Sequence, residues 1–148
     1  MVVNLKAPDA LQIRTVTTDD LAALLPLVQE LRPHLDLALL EERFAEGSAL
    51  GYEMHAVYRD GTPVALAGFR PVVSLSRGRY MHLDDLVVAS TEQRSGVGRL
   101  LLAHVESEAM RRGETSVFLD ARPTAIPFYT KCAYAAATSP SYWKALKR

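Results

Sequence analysis

Apolar and polar side chains alternate over Leu11-Gln12-Ile13-Arg14-Thr15-Val16, the period of a half-buried strand, and residues 1 to 10 before it read as a loose lead-in. The period then changes. Leu21, Leu24, Leu25, Val28 and Leu31 recur at helical spacing, with Thr18 expected as N-cap and Asp19 and Asp20 in the first turn, where the helix dipole favours acids. Pro26 falls inside this stripe and predicts a kink, and Arg32-Pro33 ends the run. A shorter helix is predicted over Leu37 to Glu46, burying Leu40 and Phe44 and ending at Gly47.

Tyr52 to Arg59 and Pro63 to Ser74 read as strands joined by Asp60-Gly61, a strong hairpin signal. A strand over Tyr80 to Ala89 follows. Val97, Leu101, Val105 and Ala109 then mark one side of a helix to about Arg112, capped by Gly113. The short strand Ser116 to Asp120 comes after a helix, so it should pair in parallel with the strand before that helix. Ala125 to Cys132 predicts a short helix that tolerates Pro127 only in its first turn, and Tyr134 to Ala137 and Tyr142 to Leu146 are expected to finish the sheet. The architecture is α/β, one domain over residues 1–148, with a mixed, mostly antiparallel central sheet of about six to seven strands flanked by about four helices.

Composition narrows the function classes. A chain of 148 residues, 49% hydrophobic and 23% charged, without repeats or low-complexity tracts, implies a packed globular fold. The 17 basic and 17 acidic side chains balance, which argues against a nucleic-acid or membrane-surface partner. One cysteine, Cys132, excludes an internal disulfide and fits a reducing compartment. No signal peptide or long apolar run is apparent, so a cytoplasmic location is expected.

The candidate chemistry centres on Val87 to Leu102. An apolar strand there runs into Gln93-Arg94-Ser95-Gly96-Val97-Gly98-Arg99 and opens a helix. Amide N–H groups at a helix start have no intrahelical partners and, with the dipole, favour a phosphate. Glycine at 96 and 98 lets a ligand approach the backbone and tolerates unusual angles, although a bare GxG also fits a mere tight turn.

Gln93 to Gly98 in this setting, with Ala125-Ile126-Pro127-Phe128-Tyr129-Thr130-Lys131-Cys132-Ala133-Tyr134 downstream, resembles the GCN5-related N-acetyltransferase (GNAT) superfamily over essentially the whole chain from residue 11. The first segment matches the Q/R-x-x-G-x-G/A signature for the acetyl-CoA pyrophosphate, and the second resembles A-x-x-F-Y-x-K-x-G-F/Y. The resemblance implies the acyl-CoA N-acyltransferase fold, a splayed fourth and fifth strand, and acetyl-CoA as cofactor. Backbone N–H groups from Arg94 to Arg99 would hold the pyrophosphate, and the edges of Val87 and Val88 the pantetheine arm. Ala133 stands where the family usually has glycine, and Pro127 is unusual in that segment.

Acetyl transfer to an amine needs a held thioester, a neutral nucleophile and an acid for the departing thiolate. A base is expected on the strand before the turn, where Asp84 ranks first and His82 and Asp85 follow. Alternation puts His82 and Asp84 on one face and Asp85 on the other unless a bulge intervenes. Tyr129 matches the family position that often protonates the thiolate; its structural alternative is packing of the short helix. Cys132 reads as a structural cysteine, and no metal is called for.

His34 and Arg70 are candidates for an acceptor pocket. The pair Asp84-Asp85 suggests a cationic amine, whereas Arg70 and Arg79 in the same cleft would suggest an acceptor that also carries a carboxylate. The expected activity is transfer from acetyl-CoA to a primary amine of a small molecule or peptide by direct attack. The partner is that acceptor, and a homodimer is left open. The alternative in another class is a non-catalytic acyl-CoA-binding or sensor domain. A P-loop nucleotide-binding protein is disfavoured by the lack of GxxxxGK[ST].

Overall fold

The computed structural model describes residues 10–147, so nearly all of the expected lead-in lies outside the described residues. Its order is β1 (Leu11–Thr15), α1 (Leu21–Leu31), α2 (Leu37–Ala49), β2 (Glu53–Arg59), β3 (Thr62–Ser74), β4 (Gly78–Val88), α3 (Val97–Arg111), β5 (Val117–Leu119) and α4 (Ile126–Lys131). Among the described residues the sheet has five strands in the order β1-β2-β3-β4-β5. All neighbours are antiparallel except β4 and β5, which α3 separates in sequence and which pair in parallel.

The sheet is smaller than expected because residues 134–147 form no strand. That segment contains Thr138-Ser139-Pro140-Ser141, whose proline removes a ladder donor, and Ala135 to Ala137 offer little side chain to pack against a sheet edge.

Local signals moved slightly at the helix ends. Thr17, not Thr18, starts the first helical turn, with its amide donating to Asp20 Oδ2 at 2.8 Å. Helix α1 continues through Pro26, which is exposed, as is Ala22 one turn before it, so the carbonyl that the missing N–H leaves free lies near solvent. Asp36 caps α2 by accepting the Leu39 N–H at 2.8 Å. That helix runs past Gly47 to Ala49; a Cβ at Gly47 would lie 3.2 Å from the Tyr52 Cβ, so this glycine serves close packing rather than a helix end.

Two cores lie on opposite faces of the sheet. Leu21, Leu24, Leu40 and Phe44 from α1 and α2 pack on Met54 and Leu66. Leu101, Leu102 and Val105 from α3 pack on Val57, Phe69 and Met81. Burying each such side chain stabilises the fold by about 1.5–3 kcal/mol, which holds the strands that carry the site.

Candidate functional site

Two cavities meet along β4. One, of about 810 Å³, lies between α1, α2 and the sheet, walled by Leu35, Leu40, Phe44 and Met54, with Asp84 and Asp85 in its lining. The other, of about 400 Å³, lies between β4 and the segment from β5 to α4 and is lined by Val88, Gln93, Leu119 and Tyr129. Leu31, Arg32, Asp84 and Val87 border both.

The smaller cavity exists because β4 outruns β5. Only Met81 to Leu83 pair with Val117 to Leu119, while β4 continues to Val88. The Ala89 N–H donates to the Val64 carbonyl at 2.8 Å, so alternation aims the peptide groups of Val87 at β3 and those of Leu86 and Val88 into the gap. Val88 therefore presents its edge as expected. Val87 does not; it borders both cavities, and Leu86 takes its place at the open edge. The Val88 carbonyl accepts from Gln93 Nε2 at 3.0 Å.

Beyond Val88, Arg94 and Gly96 adopt φ of 66° and 89°, turning the chain into α3. Arg59 holds the turn through Glu92, with Nε to Oε1 at 2.9 Å, and this bond lowers the Glu92 pKa. The first intrahelical bond runs from the Leu100 N–H to the Gly96 carbonyl at 3.0 Å. Val97 N–H reaches Ser95 Oγ at 3.4 Å, and among the described residues the N–H groups of Gly98 and Arg99 have no acceptor. A Cβ at Gly96 would meet open space, so glycine answers the positive φ there; a Cβ at Gly98 would press on Val88 Cγ2 at 3.1 Å, so that glycine lets α3 close on β4. Arg99 Nη2 donates to the Lys131 carbonyl at 3.0 Å, and Arg94 is exposed.

The two carboxylates reach one cavity because of a bulge. Gly68 pairs with Asp85 but Phe69 pairs with Leu83, leaving Asp84 as the extra residue. Simple alternation therefore fails for Asp85, as the bulge alternative allowed. Arg70 Nε donates to Asp84 Oδ2 at 2.9 Å. His82 Nδ1 is buried 3.0 Å from Asp84 Oδ1, close enough for charge interaction when protonated but without hydrogen-bond alignment.

Asp85 is held on both oxygens. Oδ1 accepts from Arg32 Nη2 at 3.1 Å and Oδ2 from the Tyr52 hydroxyl at 2.8 Å. Burial first, then the nearby Asp85 charge, push the Tyr52 pKa far up and keep the phenol a donor. A Cβ at Gly68 would collide with the Tyr52 hydroxyl. Sequence reasoning missed Tyr52 as a site residue and read Arg32 only as the end of the first helix; the available signal was Gly68, since a lone glycine inside a strand marks a bulge or a close approach.

Tyr129 lines the smaller cavity from α4, whose Pro127 sits in the first turn as predicted. Edge contacts to the rings of Phe128 at 5.1 Å and Tyr134 at 5.8 Å fix its orientation. Burial, then Cys132, raise the Tyr129 pKa, so its hydroxyl stays protonated. Ala133 adopts φ 67°, a left-handed turn made with alanine at the position where the resemblance implies glycine.

His34 and Arg70 both border the larger cavity. Arg79 turns away, its Nη2 donating to the Arg112 carbonyl at 3.0 Å. Cys132 packs with the α3-side core and borders neither cavity. Among the described residues no cluster of three metal-ligating side chains occurs, and no helix is long and apolar enough to cross a membrane.

The model of the acetyltransferase (GNAT) family matches residues 17–134. The chain is 31% identical over 109 residues to an uncharacterized N-acetyltransferase, YhdJ, of Bacillus subtilis, covering 71% of this chain and 77% of that protein. Glucosamine-6-phosphate N-acetyltransferase from Arabidopsis thaliana superposes with a TM-score of 0.78 at 20% identity, over 94% of this chain and 100% of that one. Ribosomal-protein-alanine N-acetyltransferase from Brucella melitensis does so with a TM-score of 0.75 at 20% identity, over 93% and 100%.

Proposed function

The chain belongs to the acetyltransferase (GNAT) family, and from that premise we propose that it is an acetyl-CoA-dependent N-acetyltransferase. In this reading one domain passes the acetyl group directly to a primary amine of a small molecule or peptide. The observation that carries it is the meeting of two cavities at Asp84, one beside a free strand edge and a helix start, the other apolar with carboxylates in its lining. Each cavity suits one reactant.

The residues fit the cofactor's chemistry. The N–H groups of Gly98 and Arg99 are free to meet an anion, as the pyrophosphate requires, and Gln93, Arg94, Ser95, Gly96 and Val97 shape that turn. Leu86 and Val88 turn their peptide groups into the gap, where an amide-rich arm could pair with them in an added-strand mode, the Val88 carbonyl exchanging its bond from Gln93 Nε2. Acetyl-CoA supplies a thioester whose acyl carbon an amine can attack.

Asp84 then takes the proton from the incoming amine, directly or through a water, while Arg70 orients its carboxylate and His82 lies close behind it. Asp85 is a positioning residue: with both oxygens engaged by Arg32 and Tyr52, it shapes the cavity wall. Tyr129, kept protonated, donates to the departing thiolate. Cys132 lies away from both cavities, which favours direct attack over an acyl-enzyme. Relatives named for a sugar phosphate amine and for a protein's alanine span the two acceptor sizes.

Calorimetry with acetyl-CoA, ATP and NAD tests the cofactor, with binding expected for acetyl-CoA alone. Acetylation of a broad amine panel tests the activity. Tight acetyl-CoA binding with no amine acetylated would overturn the enzymatic reading in favour of a sensor domain.

A further inference from the structure

The larger cavity has a charge pattern that selects among amines. Its two acids are already matched: Asp84 by Arg70 at 2.9 Å, Asp85 by Arg32 at 3.1 Å. A third guanidinium, Arg43 on α2, borders the same cavity, as does His34, and among the described residues neither side chain has an acidic partner. Three arginines against two aspartates leave the lining with a net positive charge. A plain cationic amine would meet that excess without answering it.

Leu40, Phe44 and Met54 give the same cavity an apolar wall alongside the carboxylates on β4 and Arg43 on α2. A volume of about 810 Å³ is that of a small-molecule pocket. Resting on the acetyltransferase reading above, we infer that the acceptor is a small amino-carboxylate. Its amine lies at Asp84, an apolar body lies along Leu40, Phe44 and Met54, and its carboxylate is held by Arg43. Carboxylate is favoured over phosphate because one guanidinium matches it in bidentate fashion, whereas a doubly charged phosphate would overshoot the single excess charge.

The test uses the full-length protein with acetyl-CoA and three probe series of graded chain length: ω-amino acids, the corresponding alkylamines, and ω-aminoalkyl phosphates. The expected result is a kcat/KM for the best ω-amino acid about tenfold or more above its alkylamine and its phosphate, the scale of one charge-assisted bond. Arg43→Gln should shrink that ratio about tenfold through KM, and Arg43→Lys should restore part of it.

A second measurement does not depend on turnover: calorimetric binding of the N-acetylated ω-amino acids against the N-acetylated alkylamines, in wild type and Arg43→Gln. Arg43-dependent preference for the carboxylates without turnover would support the pocket assignment and sink the transfer reading. Alkylamines acetylated and bound as well as ω-amino acids would overturn the inference and leave the transferase standing. A preference for the phosphates would overturn the carboxylate assignment.

Discussion

Opposite faces of one sheet carry two ionic networks, each built on arginine–carboxylate pairs. On the α1 and α2 face, Arg70 and Arg32 hold Asp84 and Asp85, and Tyr52 donates to Asp85. On the α3 face, Arg112 holds Glu53 at 2.6 Å and Glu108 at 3.2 Å, beside a contact of 2.8 Å between His55 Nδ1 and His104 Nε2. Both networks are well partnered. The difference is what adjoins them: cavities open onto Asp84, whereas neither of those two cavities reaches Glu53, His55, His104 or Arg112. Ion pairing therefore marks a site only where unfilled volume lies against it, and without such volume the same groups serve stability.

The largest expected effect falls on residues that border the two cavities. Asp84→Asn and Tyr129→Phe should each lower kcat by about 100-fold or more, the scale of one general acid or base, with little change in melting temperature. Steady-state kinetics with a circular-dichroism melt checks both. Gly68→Ala should act on stability and activity together. Its Cβ displaces the Tyr52 hydroxyl, so a loss of about 1–3 kcal/mol in denaturant unfolding should accompany a higher KM for the amine.

On the other face Glu53→Gln should cost about 1–2 kcal/mol while kcat per folded molecule stays at the wild-type value. A fall in kcat without a fall in stability would erase the contrast. The smallest effect is one of pH. The bond from Arg112 holds the Glu53 pKa below 4.5, so its contribution is present above that value and is lost as pH falls through the lowered one. Burial lowers the His104 pKa from 6.5, so the folded state prefers the neutral ring; that contribution is present above 6.5 and fades as pH falls toward the lowered value. Melting temperature against pH should show this acid slope, and His104→Asn should flatten its upper part.

How much of this was legible in the sequence depended on range. Turn chemistry at Asp60-Gly61, the stripe of α3 and the glycine turn into it are local patterns, and they placed the hairpin, the helix and its start correctly. The bulge at Asp84 is not local: it is a mismatch in count between β3 and β4, invisible in the period of either strand alone. For the same reason Tyr52 escaped notice, because its bond to Asp85 depends on the missing Cβ of Gly68 on a third segment. The C-terminal strands were over-read because alternation near an edge says nothing about whether a neighbour is there to pair.

The border that Leu31, Arg32, Asp84 and Val87 share between the two cavities has a kinetic corollary. On the proposed transferase reading, two chambers that meet at these residues would let both reactants be aboard at once, so neither would have to leave before the other enters. Double-reciprocal rate plots at several fixed concentrations of the second reactant should therefore intersect rather than run parallel, and each product should inhibit by occupying its own chamber.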